Sequence, residues 1–447
     1  MNILVRLSFF FATISFTLTG LCQSNTYDPT HRFSVRELQT DFQFLRTKLE
    51  KTHPNLYLYT PKTEFNLFFD SLYKSIEIPL TEMEFYNLTT LLNSKIKDGH
   101  TMLLPSEKAT NYFNQNGKFF PFYIVIANGK LYVNMNCSAD TSLKEGAEIL
   151  SINGIGTANI MNQLLTRQIH DGNNQTYPIW ILTNYFKEYF SFSFGHPTTF
   201  SMTYKMGNTD QQTTTINALS KDSIRFYKQA KYSNRISTTK EKQGLVLEIQ
   251  KQLSIATLTI KSFDNDILNT EYKQDFKSTI EKMFIQIRNN HVCNLILDIR
   301  NNQGGDFESG RLLLSYLLQQ PINYLDNSKE YRRLTPIKNN YNGNLYVLIN
   351  GGTFSNSGIV SSYLELTKRG IFIGEETAGN KNIISGDPTD LVLPNTKIIS
   401  EISTKKYVIR NNPNDGHGVV PSYYITSTID KDTTKEFVLS LISKNKQ

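Results

Sequence analysis

The stretch Asn350-Gly-Gly-Thr-Phe-Ser-Asn-Ser-Gly358 lies between an apolar run, Leu345 to Ile349, and a helix-like run, Ile359 to Lys368. Ser355 thus stands at a strand-to-helix turn. Such a turn exposes a hydroxyl on a rigid frame, and the free N–H groups of the first helical turn can bind a developing oxyanion. That is the setting a serine nucleophile requires. The competing reading is that Ser355 or Ser357 caps the helix, because serine is a preferred N-cap. The stretch by itself leaves both readings open.

Two neighbouring blocks bear on the choice. Upstream, residues 294–306 read Asn-Leu-Ile-Leu-Asp-Ile-Arg-Asn-Asn-Gln-Gly-Gly-Asp, and downstream, residues 370–379 read Gly-Ile-Phe-Ile-Gly-Glu-Glu-Thr-Ala-Gly. In this order the three blocks resemble the C-terminal processing peptidases, the tail-specific family of serine proteases, together with its tricorn-core branch. The resemblance puts Ser355 on the family's nucleophile. It also implies a crotonase-like or ClpP-like α/β catalytic core and peptides or unfolded proteins as substrates.

The base differs between the two branches. The processing-peptidase branch takes a Lys 25 residues after the serine, but that position here is Asn380, and Lys381 lies one place later. In an undistorted strand that shift turns the side chain to the opposite face. The tricorn-like branch uses a His, and His100 in Asp98-Gly-His-Thr101 matches it. Taken alone, a loop histidine is more often structural or solvated than catalytic. The same branch orients its His through a Glu shortly before a Gly-Val-x-Pro-Asp motif. In Asp415-Gly-His-Gly-Val-Val-Pro-Ser422 that position is Asp415, while Ser422 replaces the motif's Asp and Gly99 stands where tricorn has a Ser. The predicted site is therefore Ser355 as nucleophile, His100 as base and Asp415 as orienter. The oxyanion hole is expected from the N–H of Asn356 and that of Gly304 or Gly305. His417 is a second candidate base, placed in a turn.

The rest of the sequence bounds this reading. With 447 residues and 39% hydrophobic content, the chain has room for two or three domains. Its net charge of +7 comes from 47 basic and 40 acidic residues interleaved without a basic block, which does not suggest a nucleic-acid partner. Arg6, the apolar run Leu7 to Leu18 and small residues at Gly20 and Cys22 form the layout of a secretory signal over 1–22. The expectation is an exported protein of the periplasm or cell envelope, or an extracellular one. Leu21 disfavours lipid attachment at Cys22. Cys137 and Cys293 are too far apart to suggest a disulfide framework, and Cys293 reads as a core thiol. No Cys/His spacing suggests a metal, and no cofactor is expected.

Along the chain, residues 30–105 read as a helical domain. Ser34 with Glu37 and Thr81 with Glu84 make capping boxes, opening helices over 34–52 and 81–95 around one at 62–76. From residue 115 to 220 the pattern turns to strands. Within it, Leu143 to Gly154 resembles the core of a PDZ domain, although a typical carboxylate-binding loop is not evident, and a spacer that walls the cleft is an equal reading. Residues 221–250 are polar and aperiodic, a linker. Over 251–430 strands and helices alternate, the mark of an α/β layered domain, and 431–447 is a tail. A catalytically inactive peptide-binding or scaffolding protein on the same frame is the alternative to an enzyme.

Overall fold

The computed structural model describes residues 27–235, 243–326, 333–410, 413–426 and 431–444. The expected signal segment, with Cys22, lies outside these residues. Among them, no helix is long and apolar enough to cross a membrane.

A six-stranded sheet carries the turn at Ser355. Its strands, Leu245–Gln250, Ile255–Ile260, Asn294–Asp298, Asn344–Ile349, Ile371–Gly374 and Tyr423–Tyr424, lie side by side in chain order. The first pair is antiparallel and every later pair is parallel. The helices Phe276–Asn289, Phe307–Leu317 and Asn356–Leu366 join the segments between parallel strands. Alternation along the strand Asn294–Asp298 explains its unbroken apolar run. Leu295 and Leu297 pack with the helical residues Ile280, Leu313 and Ile359, whereas Ile296 packs on the other face with Val438 and Ile442. A strand covered on both faces keeps no polar side. Val438 and Ile442 belong to a helix over Thr433–Lys444, so the segment expected to be a tail closes the second face of the sheet.

The N-terminal helices form as their caps dictate. Both capping boxes are made, at Ser34 with Glu37 and at Thr81 with Glu84. The helix begun at Thr81 stops sooner than its periodicity suggests, at Thr89, and continues as a 3-10 turn and a short helix, Asn93–Ile96. This region does not close its core alone: Leu393, Ile398 and Ile402 from far along the chain complete it. The link is a sheet in which Met102–Leu104 pairs antiparallel with Ile399–Ile402, which in turn pairs with Thr389–Val392. The residues just after His100 are thereby sewn to the half of the chain that carries Ser355.

The middle region is an antiparallel sheet in the order Phe122–Ala127, Lys130–Asn136, Glu148–Ile152, Thr199–Lys205, Gln212–Asn217. Helices Thr157–Leu165 and Thr176–Phe194 supply Ile160, Leu164, Phe186 and Phe190 to its core. The first turns of the second helix face elsewhere. Tyr177 and Ile181 join Met102, Phe354 and Ile399 in a small apolar cluster where the three regions meet.

Two readings need correction. The linker expected over 221–250 begins with a helix, Lys221–Tyr232, capped by Ser220, that buries Ile224 and Tyr232, and it ends in the first strand of the large sheet. Ile224 and Tyr232, with Tyr227 partly buried beside them, anchor that helix among mostly polar residues. Cys293 is exposed, at the end of the turn before its strand, while Cys137 is buried.

Candidate active site

Ser355 is fixed by the backbone of its own turn. Its φ of 53° and ψ of −124° lie where side-chain-bearing residues are rare, a conformation that costs on the order of 1–3 kcal/mol and persists only when the surroundings impose it. Here they do. The N–H of Phe354 donates to the Asn302 carbonyl at 3.0 Å, the Thr353 hydroxyl donates to the Ile299 carbonyl at 3.0 Å, and the Ser357 hydroxyl donates to the carbonyls of Phe354 and Asn302. Ser355 makes no side-chain capping bond. The capping reading therefore fails for Ser355, and its hydroxyl is left for another partner.

That partner is His100. Its Nε2 lies 3.0 Å from the Ser355 Oγ across 255 residues of sequence. The imidazole is buried and stacks on Phe354, with ring centroids 4.4 Å apart, and Phe354 in turn stacks on Tyr177 at 4.5 Å. Gly99 makes that stacking possible: a Cβ there would stand 2.8 Å from the Phe354 ring, which is why a serine at this place does not suit this chain. Burial lowers the pKa of His100 below the ordinary imidazole value, against the opposing pull of the Asp98 and Asp387 carboxylates.

The turn that presents His100 is gripped by two buried acids that sequence reasoning did not assign. Asp98 Oδ1 accepts the His100 N–H at 3.0 Å, and Asp171 Oδ1 accepts the Gly99 N–H at 2.7 Å. The other oxygen of Asp171 accepts the Asn380 N–H at 3.1 Å, tying the turn of His100 to the loop beyond the helix that Ser355 opens. Burial and the charge of Asp98 push Asp171 up to about 7. Asp98 in Asp-Gly-His-Thr was visible in the sequence; Asp171 carried no motif.

Asp415 is not the orienter expected. Its carboxylate pairs with Lys381 at 3.0 Å and accepts the His417 N–H at 3.0 Å, on a half-exposed side chain. The segment Asp171–Asn173 stands between. Gly172 donates to the Lys97 carbonyl on one side, and Asn173 donates to the Gly416 and Asp415 carbonyls on the other. The same ion pair holds Lys381, and His417 Nδ1 lies 3.1 Å from Glu376. Neither residue is bonded to Ser355. The Nδ1 of His100 is buried with no protein hydrogen-bond partner among the described residues.

Of the residues expected in the oxyanion hole, Gly304 approaches closest to the turn. A Cβ there would lie 2.7 Å from the Ser355 Cβ and 2.8 Å from the Asn356 nitrogen. Its own N–H, however, is committed to the Asn302 side chain at 2.8 Å. Gly305 instead lines a cavity of about 60 Å³ with His100 and Ser355, walled by Phe307, Ile359 and Ile384. Asn356 opens the helix, so its N–H belongs to the unsatisfied first turn. Gly305 and Phe307 also border a wider trough of about 650 Å³.

Residues 254–425 match the model of Peptidase family S41. The carboxyl-terminal-processing peptidase 2, chloroplastic, of Arabidopsis thaliana is 31% identical over 121 residues, which are 26% of this chain and 24% of that protein. The C-terminal processing peptidase, chloroplastic, of Tetradesmus obliquus is 30% identical over 112 residues, 24% of each chain. The matched stretch thus spans about a quarter of the length of these curated relatives. Among solved structures, mature CPAF superposes with a TM-score of 0.64 over 92% of this chain and 99% of its own, at 13% identity. A likeness at that identity speaks for the fold alone. Over residues 254–425 the chain thus matches peptidase family S41, and there it is similar to the carboxyl-terminal processing peptidases.

Proposed function

We propose that this protein is an exported serine endopeptidase that hydrolyses peptide bonds in peptides or unfolded proteins, with Ser355 as nucleophile and His100 as general base. The observation that carries this reading is the 3.0 Å contact between His100 Nε2 and Ser355 Oγ beside an apolar cavity. A serine hydroxyl attacks an amide only when a base takes its proton. Oγ adds to the scissile carbonyl as Nε2 accepts that proton, and the N–H groups of Asn356 and Gly305 receive the oxyanion. The imidazolium then protonates the leaving amine, and a water activated by the same nitrogen releases the acyl group. Export, with residence in the periplasm or cell envelope, rests on the arrangement around Arg6, Gly20 and Cys22.

Labelling of the purified protein with a fluorophosphonate tests the chemistry. Adduct formation at Ser355, absent in Ser355→Ala, is expected; an unlabelled wild-type protein would mean a scaffold on a peptidase frame. N-terminal sequencing of protein from its native cell tests export: a start near Gln23 is expected, and a retained Met1 overturns it.

A further inference from the structure

The orienting acid expected at position 415 is engaged elsewhere, yet the imidazole of His100 has to be held in register and its positive charge stabilised during the reaction. Asp98 is the group built to do this. It accepts four hydrogen bonds from four separate donors: the His100 N–H at 3.0 Å, His53 Nε2 at 2.8 Å, the Thr101 hydroxyl at 2.7 Å and the Ser403 hydroxyl at 2.6 Å. His53, at the end of the first long helix, is itself fixed, because its Nδ1 accepts the Asn55 N–H at 3.1 Å. The ring proton therefore sits on Nε2 and is donated to Asp98. Asp98, His53, Thr101 and Ser403 are all buried, so the carboxylate acts through a medium that screens it little.

We propose that Asp98, held by His53, is the positioning residue of this site: it fixes the backbone of the base-bearing turn and supplies the negative charge that stabilises the His100 imidazolium. The proposal rests on the reading of His100 as the base. A buried carboxylate so supplied with donors stays ionised. Burial raises its pKa, but the hydrogen bond from His53, the nearness of the two imidazoles and the Ser403 hydroxyl outweigh burial and hold it well below the usual carboxylate range. The other ionisable groups facing this pair are Asp171 and Tyr59 beside Asp98, and Asp387 beside His100. Asp171 does not duplicate the role, because burial and Asp98 favour its neutral form. Asp387 is bonded to Lys405 and the Tyr407 hydroxyl, which offset its charge.

The sign of the effect follows. A negative charge near His100 favours imidazolium and raises its pKa, so removing that charge lowers the pKa and makes a weaker base. The full-length protein, carrying histidine labelled with carbon-13 at Cε1, has seven ring signals to follow, and His100→Ala identifies the one of interest. In folded Asp98→Asn the His100 midpoint is expected to fall by roughly one unit or more relative to wild type. On a peptide substrate, kcat should drop on the order of ten- to a hundredfold with KM unchanged, and the acidic limb of the rate profile should move to lower pH. His53→Gln keeps a donor to Asp98 and should stay near wild type, whereas His53→Leu removes one of its four donors and should move the His100 midpoint and kcat in the direction of Asp98→Asn but by less. If Asp98→Asn does not fold, the two His53 variants carry the test. A His100 midpoint identical in all folded variants overturns the proposal. The ring titration needs no turnover, so a wild-type protein that ignores the fluorophosphonate would end the peptidase reading while the role of Asp98 is still decided.

Discussion

Ser355 and His100 are held by opposite means. The proposed nucleophile sits in a turn whose hydrogen bonds run to residues 299–306, 350–357 and 378, all within the mixed sheet of the C-terminal half and its loops, so its strained backbone is imposed locally. The proposed base sits in a turn whose own bonds, from His100 and Thr101 to Asp98, are joined by restraints from three other places: His53 in the N-terminal region, Asp171 in the middle of the chain and Ser403 in the C-terminal half. The nucleophile is thus as robust as its domain, and the base only as well placed as the packing of three regions upon one another.

The most severe break of this contrast is removal of the nucleophile. Ser355→Ala should lower peptidase turnover by roughly four to six orders of magnitude. Because the hydroxyl makes no cap bond, stability should change by no more than about 0.5 kcal/mol, read by denaturant titration. His100→Ala should be nearly as damaging, by on the order of a thousandfold, while Lys381→Ala should leave turnover close to wild type. Reversal of those two outcomes, with folding confirmed by circular dichroism, would show that an amine and not an imidazole is the base.

The pH dependence sharpens the comparison from the side of the base. Only neutral imidazole takes the serine proton, so turnover falls as pH drops through the pKa of His100. Burial lowers that pKa, and activity should therefore persist to a more acidic pH than the ordinary imidazole value near 6.5 would allow. A midpoint above 6.5 would mean that the ring is more solvated, or faces more negative charge, than the geometry indicates.

Gly99→Ala tests the interlock of the regions. Its methyl would meet the Phe354 ring at 2.8 Å, and the expected cost is about 1–3 kcal/mol of stability together with loss of turnover, since the ring displaced is the one His100 stacks on. The smallest effect is expected of Asp415→Asn. A half-exposed pair with Lys381 contributes about 0–1 kcal/mol, and kcat should be almost unchanged. A large fall in kcat would restore Asp415 as the orienter.

The contrast also explains what could be read from the sequence. The sheet strands, the turn at Ser355 and the glycines of 304–305 are local features, and apolar runs bounded by turn residues announce them. Both capping boxes were legible for the same reason. His100 was reached only through its resemblance to a known motif, because nothing in Asp-Gly-His-Thr says what lies across from it. Asp415 too was reached through a motif, and a motif does not foretell that its carboxylate pairs with Lys381 while residues 171–173 come between it and the turn of His100. His53 lies just past the end of the helix expected over 34–52, and its bond to Asp98 depends on packing that single-segment reasoning does not contain.

The sheet that joins Met102–Leu104 to Ile399–Ile402 has a consequence for biosynthesis. Asp98 meets Ser403 across 305 residues, so the partner that steadies the base is made long after the base itself. At roughly 5–20 residues per second, a ribosome needs about 15–60 s to cover that interval. Throughout it the growing polypeptide holds a histidine with no serine, then a serine turn whose histidine is not yet docked. On the proposed reading, latency is therefore inherent in the order of synthesis, because the pair of Ser355 and His100 is steadied only after residue 403 has been made.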